Sequence, residues 1–132
     1  MQNATKNKDP KNTILWVDDE DIAREVWSQM LQKLGYTVLQ ARSGYEALEI
    51  FKKNHNTISL VILDMRMPGM DGCEVYVRLK AIQSEIKFII FSGYIDQYSI
   101  DKLSKHNFID YVDKPFKLRK LSDKIEEVLE QP

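Results

Sequence analysis

Four short apolar runs stand out along the chain, each bounded by polar residues and rich in β-branched or aromatic side chains: Ile14 to Val17, Leu60 to Leu63, Phe88 to Phe91, and Phe108 to Val112, the last interrupted by Asp110. Such runs predict strands buried on both faces. Tyr36 to Gln40 alternates more weakly and predicts an edge strand. Between the strands the apolar spacing becomes helical. Ile22, Val26, Met30 and Leu34 recur every fourth residue and predict the apolar stripe of a first helix, stopped by Gly35 in a left-handed conformation. Ser43 and Glu46 form an S-x-x-E pattern whose side chains can cap free backbone N–H groups, opening a second helix with Ala47, Leu48 and Phe51 on its apolar face. Asp71 is placed to cap a third, carrying Tyr76, Leu79 and Ile82. Ile95 to Lys105 predicts a weaker fourth, and Leu118, Leu121, Ile125 and Val128 a clear fifth.

Strands alternating with helices must run parallel, because each helix returns the chain to the same end of the sheet, and such crossovers are right-handed. The expected fold is therefore α/β, a three-layer sandwich. The 132 residues suffice for one domain with its own core, expected over residues 13–130, while the polar, Lys- and Asn-rich residues 1–12 read as a flexible tail. The 19 basic and 20 acidic residues leave a net charge of −1, without the positive excess of a nucleic-acid or anionic-membrane binder. A single cysteine, Cys73, excludes an intramolecular disulfide, and no apolar run is long enough to span a membrane. A cytoplasmic location is expected, with no direct contact to nucleic acid or membrane.

Parallel strands end on one edge, where open α/β sheets bind their ligands. Asp18 and Asp19 follow Val17, Asp64 follows Leu63, Ser92 follows Phe91, and Asp113 and Lys114 follow Val112. Asp18, Asp19 and Asp21 would also suit a helix N-terminus, and Ser92 and Lys114 taken singly suit an ordinary loop. Their convergence is what carries chemical meaning. Grouped carboxylates are hard oxygen ligands suited to Mg²⁺, which takes one or two carboxylates together with water and phosphate oxygens. A carboxylate beside that cation and a lysine can accept a phosphoryl group as an acyl phosphate, and a nearby hydroxyl can hold one of its oxygens.

With these residues in place, the sequence resembles the receiver domain of two-component response regulators from about Thr13 to Leu129. The resemblance is carried by V-D-D-E at 17–20, L-D-M-R-M-P-G-M-D-G at 63–72, F-S-G-Y at 91–94 and Y-V-D-K-P-F at 111–116. It implies a flavodoxin-like fold, with a five-stranded parallel sheet in the order 2-1-3-4-5 and five helices. It further implies that Asp64 is phosphorylated, that Lys114 pairs with the phosphoryl group, and that Ser92 and Tyr111 form the switch. Mg²⁺ would be held by Asp19, Asp64 and the backbone carbonyl of Arg66, with Asp18 acting mainly through water. The side chains of Arg66 and Tyr94 would flank the phosphoryl group and tune its lifetime. The implied donor is a phosphohistidine on a histidine kinase or histidine phosphotransfer domain. The implied consequence is a reshaped surface of the fourth predicted helix, fifth strand and fifth helix, read by an output protein or domain outside this chain.

Three rival readings are weaker. A small Mg²⁺-dependent aspartyl phosphatase of the haloacid dehalogenase type needs a second Asp two residues after the nucleophile, where this chain has Arg66. A flavodoxin-like electron carrier needs a phosphate-binding loop after the first strand, where this chain has four consecutive acids from Asp18. A degenerate receiver, acting only as a binding module, would not need the five intact site residues. The chain is thus read as a phosphoacceptor that assists its own phosphorylation and dephosphorylation rather than as an enzyme. Tyr98 and Ile100 are candidates for a partner-facing surface, Phe116 for the core, Cys73 for packing or a reactive thiol, and His55 and His106 have no assigned role.

Overall fold

A computed structural model describes residues 13–92, 110–113 and 117–131. Five strands, β1 (Thr13–Val17), β2 (Thr37–Ala41), β3 (Ile58–Asp64), β4 (Lys87–Ser92) and β5 (Asp110–Asp113), form one parallel sheet in the order β2-β1-β3-β4-β5. Among the described residues the helices are α1 (Asp21–Lys33), α2 (Gly44–Asn54), α3 (Gly72–Ile82) and α4 (Leu118–Leu129), the last being the fifth helix expected from the sequence. The expected helix at Ile95 to Lys105 and the expected tail lie outside the described residues.

The alternation within β1, β3 and β4 divides the core between the two faces of the sheet. Leu15, Val17, Val61, Leu63, Phe88 and Ile90 pack with Ala47 and Phe51 of α2 and with Val75, Tyr76 and Leu79 of α3. Ile14, Trp16, Leu60, Ile62, Ile89 and Phe91 pack on the other side with Leu31 of α1 and with Leu121, Ile125 and Val128 of α4. Continuous apolar runs arise because a residue facing either way meets a helix layer. The weaker strand, β2, is at an edge of the sheet, as its composition predicts.

The expected helix signals are largely present. Gly35 has φ 104, with Gly35 N–H donating to the Gln32 carbonyl and Tyr36 N–H to the Leu31 carbonyl, which closes the end of α1. Ser43 Oγ and the Asp71 carboxylate each accept from the backbone N–H three residues on. The Glu46 carboxylate reaches back to Arg42 N–H at 2.8 Å, one residue before the position expected of a reciprocal cap.

One expectation fails. Ile22 is 81% exposed and Val26 44%, and the face that α1 buries carries Ser28 and Leu31, with Trp27 half-buried beside them. At 3.6 residues per turn, a four-residue repeat rotates about 40° with each step, so the stripe drifts around the helix. Stacking of Trp27 on Trp16, with ring centroids 5.9 Å apart, helps fix the buried side instead.

Candidate functional site

The parallel register brings the strand ends together. Val17 pairs with Leu63, Asp64 with Phe91, and Ser92 with Asp113, so the acids after β1, the end of β3 and the end of β4 share one sheet edge. Asp18 N–H donates to the Ala41 carbonyl, extending the β1–β2 ladder by one residue before the chain turns into α1. Met65 N–H donates in the same way to the Phe91 carbonyl. Asp64 is thereby tied to β4 on its C-terminal side and is 4% exposed, while Asp18 is 1% exposed.

Among the described residues, Asp18, Asp19 and Asp64 bring ligand oxygens within 4.8 Å of one another; Asp19 is exposed and the other two are buried. Buried carboxylates this close repel one another, and the cost of their desolvation is offset only by hydrogen bonds or by a cation. Hydrogen bonds supply part of that compensation. Glu20 N–H donates to Asp18 Oδ1 at 3.0 Å, Trp16 Nε1–H to Asp18 Oδ2 at 3.4 Å, and Arg66 N–H to Asp64 Oδ1 at 3.2 Å. The donor set, all oxygen and with one member open to solvent, fits a hard divalent cation that keeps some of its water.

Two neighbouring features shape this cluster without belonging to it. Arg24, from α1, donates to the Asp18 carbonyl at 2.8 Å and to Gln40 Oε1 at 3.3 Å, and pairs with Asp21 at 2.6 Å, so the acidic turn is tied to both α1 and β2. Gly72 N–H donates to the Met65 carbonyl at 2.8 Å, folding the start of α3 against the end of β3. Neither residue announces its part in the sequence: Arg24 reads as a surface cation and Gly72 as a helix-start residue. Trp16 carried one legible signal, since positions 16 and 18 share a face along an extended strand.

The other expected site residues are placed as follows. Arg66 is exposed immediately beyond the cluster. Ser92 ends β4, and Tyr111 lies within β5 opposite Ile90. Tyr94, Tyr98, Ile100, His106, Lys114 and Phe116 lie outside the described residues. Cys73 is buried in the first turn of α3 with Sγ 3.8 Å from Met65 Sδ, in keeping with packing.

The sequence profile of the response regulator receiver domain matches residues 14–126. The chain belongs to this family. It is a receiver domain of two-component signalling, similar to the phosphoacceptor domains of sensor kinases and response regulators. It is 38% identical over 119 residues to the sensor kinase CckA of Brucella abortus, covering 90% of this chain but 13% of that protein. It is 34% identical over 116 residues to sporulation initiation phosphotransferase F of Bacillus subtilis, covering 88% of this chain and 92% of that protein. A receiver domain protein from Clostridium thermocellum superposes with a TM-score of 0.83 at 32% identity, over 89% of this chain and 93% of the other. The response regulator TrrA of Thermotoga maritima, solved in complex with Mg²⁺ and BeF, superposes with a TM-score of 0.78 at 34% identity, over 89% and 98%. Among the described residues, no helix is long and apolar enough to cross a membrane.

Proposed function

We propose that this receiver accepts a phosphoryl group on Asp64 from a phosphohistidine of a sensor kinase or phosphotransfer protein, in a reaction that requires Mg²⁺. The observation that carries this reading is the acid cluster itself. Two buried carboxylates and one exposed carboxylate converge at the end of the sheet, with Asp64 held at the strand terminus by the register of β3 on β4. The residues that would hold the cation are Asp19, Asp64 and the Arg66 carbonyl, with Asp18 acting through water. Bound there, Mg²⁺ would neutralise charge on the phosphoryl oxygens.

An Asp64 carboxylate oxygen attacks phosphorus and forms an O–P bond, while the N–P bond to the donor imidazole breaks and its electron pair returns to that nitrogen. The attacking group is the carboxylate itself, which carries no proton to be removed by a general base. Lys114 would pair with the transferred group and Ser92 would take one of its oxygens. Tyr111 would follow Ser92 inward and alter the surface that an output protein outside this chain recognises. Arg66 and Tyr94 would set the lifetime of the acyl phosphate. On this reading the domain is a phosphoacceptor assisting its own chemistry, not an enzyme with a separate substrate.

The donor's approach has a surface suited to it. Ile22 and Val26 are exposed on α1, and together with Glu20, Asp21, Ala23 and Trp27 they line a shallow hollow next to the acid cluster. A helical donor presenting its phosphohistidine to Asp64 would cover this apolar face.

Beryllofluoride, a phosphoryl mimic, tests the acceptor assignment. With Mg²⁺ it should perturb the NMR resonances of residues 64–72 in the wild type and leave those of Asp64→Asn unmoved. Binding that persists in Asp64→Asn, or that ignores Mg²⁺, would overturn the assignment.

A further inference from the structure

Trp16 is buried in β1, two positions before Asp18, and its indole Nε1–H donates to Asp18 Oδ2 at 3.4 Å. The opposite oxygen, Oδ1, accepts from Glu20 N–H at 3.0 Å. Both oxygens of this buried carboxylate are therefore engaged by donors from its own chain segment. The indole cannot easily turn away. It stacks on Trp27 of α1, with centroids 5.9 Å apart and planes inclined by 12°, and packs against Phe91 of β4 with centroids 5.2 Å apart. Rings from a strand and a helix thus hold one N–H toward one acid of the cluster.

We infer that Trp16 is a positioning residue for the cation site, fixing the Asp18 carboxylate in the orientation from which the acid pair receives Mg²⁺. The inference rests on the reading that the cluster binds Mg²⁺. An indole serving only as core filler would still need a partner for its N–H, but that partner would not have to be a member of the acid cluster. Hydrogen bonds that orient the groups around a metal set its affinity, because a carboxylate already held in place loses less freedom on binding. The Trp16–Trp27 stack also gives α1 a direct packing contact with the residue that orients Asp18.

Calorimetric titration with Mg²⁺ separates the possibilities. Trp16→Phe keeps a ring against Trp27 and Phe91 and removes the N–H; its Mg²⁺ affinity should fall about tenfold. Trp27→Phe keeps the N–H and a ring beside Trp16, so its Mg²⁺ affinity should fall less than that of Trp16→Phe. In the wild type, the ¹⁵N–¹H resonance of the Trp16 indole, assigned by its survival in Trp27→Phe, should shift on Mg²⁺ addition by more than that of Trp27. If the wild type binds Mg²⁺ and Trp16→Phe binds equally well, the positioning role is overturned while the cation site stands. A wild type that fails to bind Mg²⁺ overturns the site and the positioning role with it. Should Trp16→Phe fail to fold, the indole resonance decides: a Trp16 signal unmoved at saturating Mg²⁺ contradicts the inference, and a shifted one supports it.

Discussion

A Cβ on Gly72 would fall 2.7 Å from Met65 Cα, 2.8 Å from the Asp64 carbonyl oxygen and 2.9 Å from Leu63 Cδ1. Two of these neighbours are backbone, so no side-chain rotation can relieve the clash. Gly72→Ala should therefore cost about 1–3 kcal/mol in urea unfolding and also slow phosphorylation by acetyl phosphate, because the displaced backbone carries the proposed acceptor. A variant with wild-type stability and rate would show that the loop absorbs the methyl group freely. Asp64 itself was legible in the sequence as a carboxylate directly after an apolar run. The need for glycine at position 72 was not, because it depends on how closely α3 approaches β3. The Trp16 to Asp18 hydrogen bond was hidden for a similar reason: alternation puts both on one face, but the tilt of the indole is set by Trp27 and Phe91, distant in sequence.

Helix α1 turns different side chains to the core and to the surface than its apolar spacing predicts. Leu31 is fully buried between α1 and the sheet, whereas Ile22 is mostly exposed beside the acid cluster. In urea unfolding, Leu31→Ala should lose about 2–5 kcal/mol and Ile22→Ala within about 0.5 kcal/mol. Transfer from a phosphohistidine donor should slow about tenfold in Ile22→Ala combined with Val26→Ala, while phosphorylation by acetyl phosphate stays unchanged. Equal slowing with both donors would argue that α1 affects the chemistry rather than docking. The strands were readable because burial on both faces leaves runs that no surface helix would show. The face of α1 was not, because buried Ser28 and largely covered Arg24 are polar, while Ile22 and Val26 draw attention to the outer side.

For the molecule as a whole, the edge proposed to bind the cation is also where like charges are crowded. Asp18 and Asp64 are buried close to Asp19, so a bound divalent cation should stabilise the folded chain by mass action, about 2.7 kcal/mol at a concentration 100-fold above its Kd. Thermal unfolding should accordingly show a higher Tm with Mg²⁺ than with EDTA, and the difference should largely disappear in Asp19→Asn. An equal increment in both proteins would place the binding elsewhere. The same edge is reached by all the parallel strands, which is why a fold legible from strand–helix alternation already pointed to the region of the site. The central claim is that Asp64 becomes an acyl phosphate. It is tested most directly by incubating the protein with acetyl phosphate, trapping the product with borohydride and mapping the modified residue by mass spectrometry. Modification at Asp64 that requires Mg²⁺ is the predicted result; modification at another residue, or none in the presence of Mg²⁺, would contradict it.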